Sequence, residues 1–277
     1  MTARLGGRVA LVTGAGRGLG RAHAHALARD GALVVVNDLG TALDGSGTDS
    51  GPAEAVANEI TATGGRAVAD TTDVASIQGG VAAVLVALDA YGRIDIVVNN
   101  AGFAHGGGEV EHPIDAELDA LFGVHYKAAL GTISAAFGPM RAQGFGRIIN
   151  TVSEVALDAR LAEGIGYGPA KAALWSLTLA ASRQAAPHGI TVNAISPGAR
   201  TRMNAELLDA GFRDRSSGAL DLDPEHVARV VAYLAGDDAG DITGRIVHAA
   251  GGQLREYITR RSAGSELVHR LEQALQP

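Results

Sequence analysis

Seven short apolar runs, at residues 9–13, 33–36, 66–69, 94–99, 147–151, 190–195 and 245–249, recur through this 277-residue chain and limit what it can fold into. Each is too short for a helix and too uniformly apolar for a strand with one wet face, so each reads as a strand covered on both sides. The segments between them, such as 19–29, 52–63 and 77–91, are rich in alanine at helical spacing. Alternation of this kind predicts an α/β fold, with a doubly wound, seven-stranded parallel sheet, right-handed crossovers and helices on both faces. No Pro/Ser-rich linker divides the chain, and its length suits one hydrophobic core, so residues 1–277 are expected to form a single domain with a short helical tail from about 253. Residues 40–51, rich in Gly, Ser, Asp and Thr, read as an exposed insertion.

Composition narrows the partners. The net charge is −7, Lys and Arg are scattered, and only 4% of residues are aromatic, so there is neither a basic stripe nor a stacking platform for nucleic acid. Cysteine is absent, which removes disulfides, thiolate catalysis and thiolate-bound metal. With no signal peptide or membrane span readable, a cytoplasmic protein without a membrane partner is expected. His23 and His25 lie two apart on a helix and cannot share a ligand direction, and Asp237, Asp238 and Asp241 read as a solvated turn, so no metal site is expected.

The first strand runs into Thr13-Gly14-Ala15-Gly16-Arg17-Gly18-Leu19-Gly20, which opens directly into a helix. A strand before, a helix after and an acid beyond are the context in which such a turn binds a dinucleotide, as in a Rossmann-type fold. Glycine lets the backbone approach a pyrophosphate, and the helix start supplies unpaired N–H groups and partial positive charge. The acid is Asp38, at the end of the second strand, where a carboxylate can accept from both hydroxyls of an adenosine ribose. A 2′-phosphate held ~4 Å from that carboxylate would meet repulsion on the order of 4 kcal/mol, which favours NAD over NADP. Arg17 argues the other way, since it could pair with the phosphate.

Gly14, Gly18 and Gly20, then Asn99-Asn100-Ala101-Gly102, then Tyr167-Gly168-Pro169-Ala170-Lys171 together resemble the signature set of the short-chain dehydrogenase/reductase family, over the chain to about Gly252. The resemblance implies cofactor contacts from Gly14, Gly16, Arg17, Gly18, Leu19 and Gly20, from Asp38, and from Asp73 and Val74 after the third strand. It implies the same of Asn99, Ala101 and Gly102, of Tyr167 and Lys171, and of Pro197 and Gly198. Within the family, residues 36–40 with the polar insertion most resemble the hydroxyacyl-CoA dehydrogenase module of peroxisomal multifunctional enzymes. Homotetramers are common in the family, so a homo-oligomer is expected.

The chemistry implied is hydride transfer between a secondary alcohol and NAD, with Tyr167 as acid/base. A phenol with a pKa near ~10 needs about 4 kcal/mol of differential stabilisation to work at roughly pH 7. Lys171, four residues on and on the same helical face, can supply it. Ser153, fourteen residues before Tyr167 where the family usually shows thirteen, would hold the substrate oxygen. His125 stands where the family usually has an Asn that completes a proton relay; it reads either as a relay member or as a buried histidine satisfied by a carbonyl. Met203, Leu207, Leu208 and Phe212 read as a lid over an apolar ligand or as a packed helix face. Leu254, Tyr257, Ile258, Leu267, Val268, Leu271 and Leu275 form an amphipathic helical pattern that folds back or docks across a subunit boundary. An epimerase or dehydratase, or a silent dinucleotide-binding regulator, are the alternative functions. The substrate itself is not named by the residues.

Overall fold

The computed structural model describes residues 4–158, 160–161, 164–205 and 221–258. In chain order the elements are β1 (Val9–Thr13), α1 (Gly18–Arg29), β2 (Leu33–Asn37), α2 (Gly51–Ala62), β3 (Arg66–Asp70), α3 (Ile77–Tyr91) and β4 (Ile96–Asn99). A small hairpin of β5 (Gly108–Glu109) and β6 (His112–Pro113) precedes α4 (Asp115–Phe122). A single π-helical turn at Gly123–Lys127 then leads into α5 (Ala128–Gln143), β7 (Gly146–Thr151) and α6 (Tyr167–Ala185). Next come β8 (Ile190–Gly198), α7 (Pro224–Leu234), β9 (Ile246–Ala250) and β10 (Gln253–Glu256).

The main sheet has the order β10-β9-β8-β7-β4-β1-β2-β3. All seven expected strands are present and mutually parallel, their ends shifted by a few residues. The chain builds outward from β1 through β2 to β3, then returns to the other side of β1 with β4. Carboxyl ends of β1 and β4 therefore flank a topological switch point, where open α/β sheets leave a crevice.

Both faces of the sheet are covered. Successive strand residues point to opposite sides, so Ala10 and Val12 join Leu27, Val56, Ile60, Val227 and Val231 in one core. Val9 and Leu11 join Val84, Ala87, Ile133, Ala136 and Met140 in the other. Local signals fix the helix ends: Ser76 accepts from the Gly79 N–H to cap α3, and Gly92 ends it with φ 75°, a left-handed position that suits glycine. Asp223 caps α7 ahead of Pro224.

Two expectations change. Where the helical tail was to begin, residues 253–256 form an eighth strand, antiparallel to β9, with Gln253 opposite Ala250. The two residues between the strands are Gly251 and Gly252, both at positive φ (51° and 80°), the two-residue hairpin turn whose twist matches its strands. The rest of the expected tail, including Leu267, Val268, Leu271 and Leu275, lies outside the described residues, as do Leu207, Leu208 and Phe212. The insertion is largely exposed, as expected, but Gly45 lies against the Phe103 ring, so the loop reaches across to the segment after β4. Among the described residues no helix is long and apolar enough to cross a membrane, and no cluster is placed to hold a metal ion.

His23, on α1, is fully buried with neither ring nitrogen partnered. Burial pushes its pKa down from 6.5 to about 3. An unfolded imidazole takes a proton below about 6.5 while the folded one does not, so stability is whole above that pH and falls by about 1.4 kcal/mol per unit on the way down to about 3. His23→Leu should remove that slope. In urea melts, its stability advantage over wild type should be larger at pH 5 than at pH 7 by about 2 kcal/mol; an advantage independent of pH would contradict this.

Candidate active site

Packing forces the turn after β1 to be glycine. A Cβ on Gly14 would lie 2.8 Å from Ala101 Cα, and one on Gly20 would lie 2.0 Å from the Gly14 carbonyl oxygen. Gly14 and Gly18 have φ of 63° and 51°. The first turn of α1 carries neither a capping side-chain bond nor an acidic residue, so its N–H groups remain available for an anion. The cleft beside it, of about 1850 Å³, exceeds an ordinary small-ligand pocket and has room for a dinucleotide together with a substrate.

Asp38 stands at one end of the cleft. Its two carboxylate oxygens accept from the Gly16 and Gly40 N–H groups, each at 2.7 Å. A carboxylate has about four acceptor sites, so capacity remains for two ribose hydroxyls. Arg17 donates to the Thr41 carbonyl at 3.3 Å, and Arg202 is close enough to feel both Arg17 and Asp38. Leu19, Asp73, Val74, Ala101, Gly102, Pro197 and Gly198 also line the cleft.

Asn99 does not face the cleft with its side chain. It donates to Asn150 at 2.9 Å and accepts from Thr132 at 2.7 Å, inside the sheet. Its neighbour Asn100 lines the cleft instead and donates to the carbonyls of Thr13 and Gly14. The doubled Asn was the available signal, but alternation along the strand decides which of the pair points outward. Sequence reading also missed the insertion residues Thr41 to Gly45, and Glu154 and Tyr257, as cleft-lining residues.

At the other end Ser153, Tyr167, Lys171 and His125 come together. Ser153 follows β7 and caps the short 3-10 turn Glu154–Ala156. Tyr167 opens α6, with Lys171 one turn later, its Nζ 5.7 Å from the phenol ring centre. The ammonium donates to the Thr151 carbonyl at 2.6 Å. Burial sets the titration: it pushes Lys171 down from 10.5 to about 7 and raises Tyr167, while a hydrogen bond with Ser153 pulls Tyr167 the other way.

His125 sits in the π-helical turn, an irregularity of the kind often found at functional sites. Its ring meets the Tyr167 ring edge-on at 5.4 Å. Nε2 lies 2.8 Å from the Phe103 carbonyl, which can only accept, so the proton is on Nε2 and Nδ1 keeps its lone pair. Burial first, then the Lys171 charge, hold its pKa well below 6.5, so the ring is neutral. Nδ1 is buried with no partner. The histidine is therefore satisfied by a carbonyl on one side and open as an acceptor on the other.

Known proteins resemble this chain along most of its length. The short chain dehydrogenase family model matches residues 8–210. Hydroxyacyl-CoA dehydrogenase ChsB1 of Mycobacterium tuberculosis is 37% identical over 262 residues, which is 91% of this chain and 80% of that protein. Peroxisomal multifunctional enzyme type 2 of Mus musculus is 34% identical over 274 residues, 99% of this chain but 36% of the mouse protein, so this chain spans about a third of its length. The crystal structure of a short chain dehydrogenase from Mycobacterium avium superposes with a TM-score of 0.80 at 36% identity, covering 98% of this chain and 96% of that one.

Lys171 offers a test that needs no ligand. An amine whose folded pKa drops from 10.5 to about 7 costs stability that grows as pH falls through that window. Lys171→Met should relieve this penalty, offset in part by the orphaned Thr151 carbonyl, for a net gain of roughly 2 kcal/mol at pH 7.5 and a Tm rise of about 4 °C. A lower Tm for the variant would show that the ammonium is better compensated than its burial implies.

Proposed function

The chain belongs to the short-chain dehydrogenase family, and we propose that it is an NAD-dependent oxidoreductase interconverting a secondary alcohol and a ketone, with Tyr167 as acid/base. The observation that carries this reading is the convergence of Ser153, Tyr167 and Lys171 on one wall of a cleft whose far end holds Asp38 and the glycine turn. Bound NAD supplies the hydride acceptor, or NADH the donor. The start of α1 and the turn from Gly14 to Gly20 hold the pyrophosphate, and Asp38 holds the adenosine ribose. Ser153 directs its hydroxyl at the substrate oxygen and stabilises the charge that develops there.

Tyr167 takes the carbinol proton. Desolvation alone works against this, since it favours the neutral phenol, so the phenolate depends on Ser153 and on positive charge close by. Lys171, with a pKa of about 7, exchanges its proton near neutral pH and serves both as that charge and as the next proton carrier. His125, neutral with Nδ1 open, accepts a hydrogen bond where the family usually places Asn. This supports the relay reading without excluding the carbonyl bond, since the ring uses different nitrogens for each. The name of one relative, hydroxyacyl-CoA dehydrogenase ChsB1, makes hydroxyacyl thioesters the first substrates to try. Assembly as a homo-oligomer belongs to the same reading and is in keeping with the exposed Leu254 on β10 and Ile258 just after it.

Two measurements test the proposal. Tyr167→Phe should lower kcat on the preferred alcohol by about a hundredfold or more while leaving the NAD Kd within about twofold, because only the ionisable hydroxyl is lost; a variant retaining above about a tenth of the rate would remove Tyr167 from its role. In calorimetry, wild type should bind NAD at least about tenfold more tightly than NADP, and Asp38→Ala should narrow that gap. Equal affinities in the wild type would show that Arg17 outweighs Asp38.

A further inference from the structure

Beside the four residues of the reacting end lies a second cluster that none of the steps above uses. Glu154, next to Ser153, is three-quarters or more buried, and its carboxylate is met from two directions by the end of the sheet. The Tyr257 hydroxyl donates to Glu154 Oε1. His248 Nδ1, buried on β9, lies 3.3 Å from the same oxygen, without hydrogen-bond alignment. Tyr257 is anchored in turn: its N–H donates to the Ile246 carbonyl at 2.9 Å, and its side chain packs against the buried cluster that holds Val152, Leu174 and Ile246. Burial first, then the hydrogen bond to Glu154 and its charge, raise the Tyr257 pKa, so the hydroxyl stays a donor at every working pH.

The consequence runs to Ser153 through the chain. Glu154 is the first residue of the 3-10 turn that Ser153 caps, and Ser153 Oγ accepts from the Val155 N–H at 3.4 Å, a long bond that by itself holds the hydroxyl loosely. A partly buried carboxylate that loses its donor seeks water and rotates its turn to reach it. Fixing Glu154 therefore fixes the turn on which the Ser153 hydroxyl is mounted.

We infer that Glu154 is a positioning residue for Ser153, clamped by Tyr257 beside His248, so that the segment after the last parallel strand sets the placement of the hydroxyl at the reacting end. The inference rests on the role given to Ser153 above. It also gives the β9–β10 hairpin a purpose, since the turn at Gly251–Gly252 sends the chain back along β9 and brings Tyr257 to Glu154.

The test uses Tyr257→Phe, which keeps the ring and removes only the donor. In the full-length enzyme kcat should fall about tenfold, with the NAD Kd within about twofold of wild type. The same substitution placed in Ser153→Ala should cost less than about twofold, because the hydroxyl it positions is gone. Glu154→Gln, which still offers a carbonyl to Tyr257, should keep most of the rate that Glu154→Ala loses. A second readout does not need turnover. The chain contains no cysteine, so Ser153→Cys introduces a single thiol at the position in question. Its rate with a disulfide reagent should change by about threefold or more when Tyr257→Phe is added. An unchanged thiol rate overturns the inference whether or not a substrate is known. Wild type that turns over no NAD-linked alcohol while the thiol rate does shift overturns the proposed reaction and leaves the clamp standing. Equal losses from Tyr257→Phe with and without Ser153 would assign Tyr257 to general stability and overturn the positioning role.

Discussion

The stitching of the loop after β1 to the loop after β4 is the constraint on which the rest of the molecule depends. Thr13 Oγ1 accepts from the N–H groups of Asn100 and Ala101, at 3.0 and 3.1 Å, while the Asn100 amide donates to the carbonyls of Thr13 and Gly14. Two strand ends that diverge at a switch point would otherwise leave four backbone groups without partners at the edge of a crevice. Satisfying them with one hydroxyl and one amide pulls the loops so close that no Cβ fits at Gly14 or Gly20. The same pairing leaves the start of α1 facing the crevice. Strand order, glycine turn and cleft are thus one solution to one hydrogen-bonding problem.

A second constraint acts at the opposite end of the cleft. Thr132, Asn99, Asn150 and Thr178 form a buried chain of side-chain hydrogen bonds from α5 through β4 and β7 to α6. Because a buried polar chain is stabilising only when every member is satisfied, it fixes how α6 sits on the sheet. Tyr167 and Lys171 ride on α6, so this chain sets where they meet Ser153. Burial there is costly: it lowers Lys171 and His125 and raises Tyr167, each away from its charged form. A site in which desolvation opposes every ion is one where each charge that does form is weakly screened and acts strongly on its neighbours.

Much of this was legible in the chain because it follows from period and from glycine. The seven strands are apolar runs buried on both faces, and burial on both faces leaves no room for another reading. The glycine turn was legible for the same reason, as Gly14 and Gly20 occupy places where no Cβ fits. What was not legible depends on side-chain direction or on contacts distant in sequence. Asn99 ends β4 with its side chain turned into the fold, while Asn100, the next residue, lines the cleft. The Gly251-Gly252 hairpin had its signal in the doubled glycine, but the helical spacing of Leu254, Tyr257 and Ile258 was the louder pattern and won wrongly. Glu154 and Tyr257 are 103 residues apart, and nothing local to either announces the other. His125 fell between: its position was readable, but the division of labour between its two nitrogens required the Phe103 carbonyl to be seen.

The insertion at 40–51 shows how a loop read only as exposed can still bear on chemistry. Gly40 gives its N–H to Asp38, and its φ of 77° and the Asp49 carbonyl, which a Cβ would meet at 1.9 Å, leave glycine as the residue that fits. Thr41, next in line, uses its carbonyl to occupy an N–H of Arg17. The loop therefore acts on both groups that would weigh on the proposed choice of NAD over NADP, and in the same direction. It fixes the carboxylate that, on the proposed reading, would repel a 2′-phosphate, and it engages the guanidinium that would welcome one. Five donors on Arg17 leave it others to offer, but a planar fork held at one edge is less free to turn towards a ligand. An isolated Asp38 in a Rossmann turn would discriminate by charge alone. Under the proposed use of NAD the discrimination would extend into the backbone that follows it, so the polar insertion and the acid before it would act as one element.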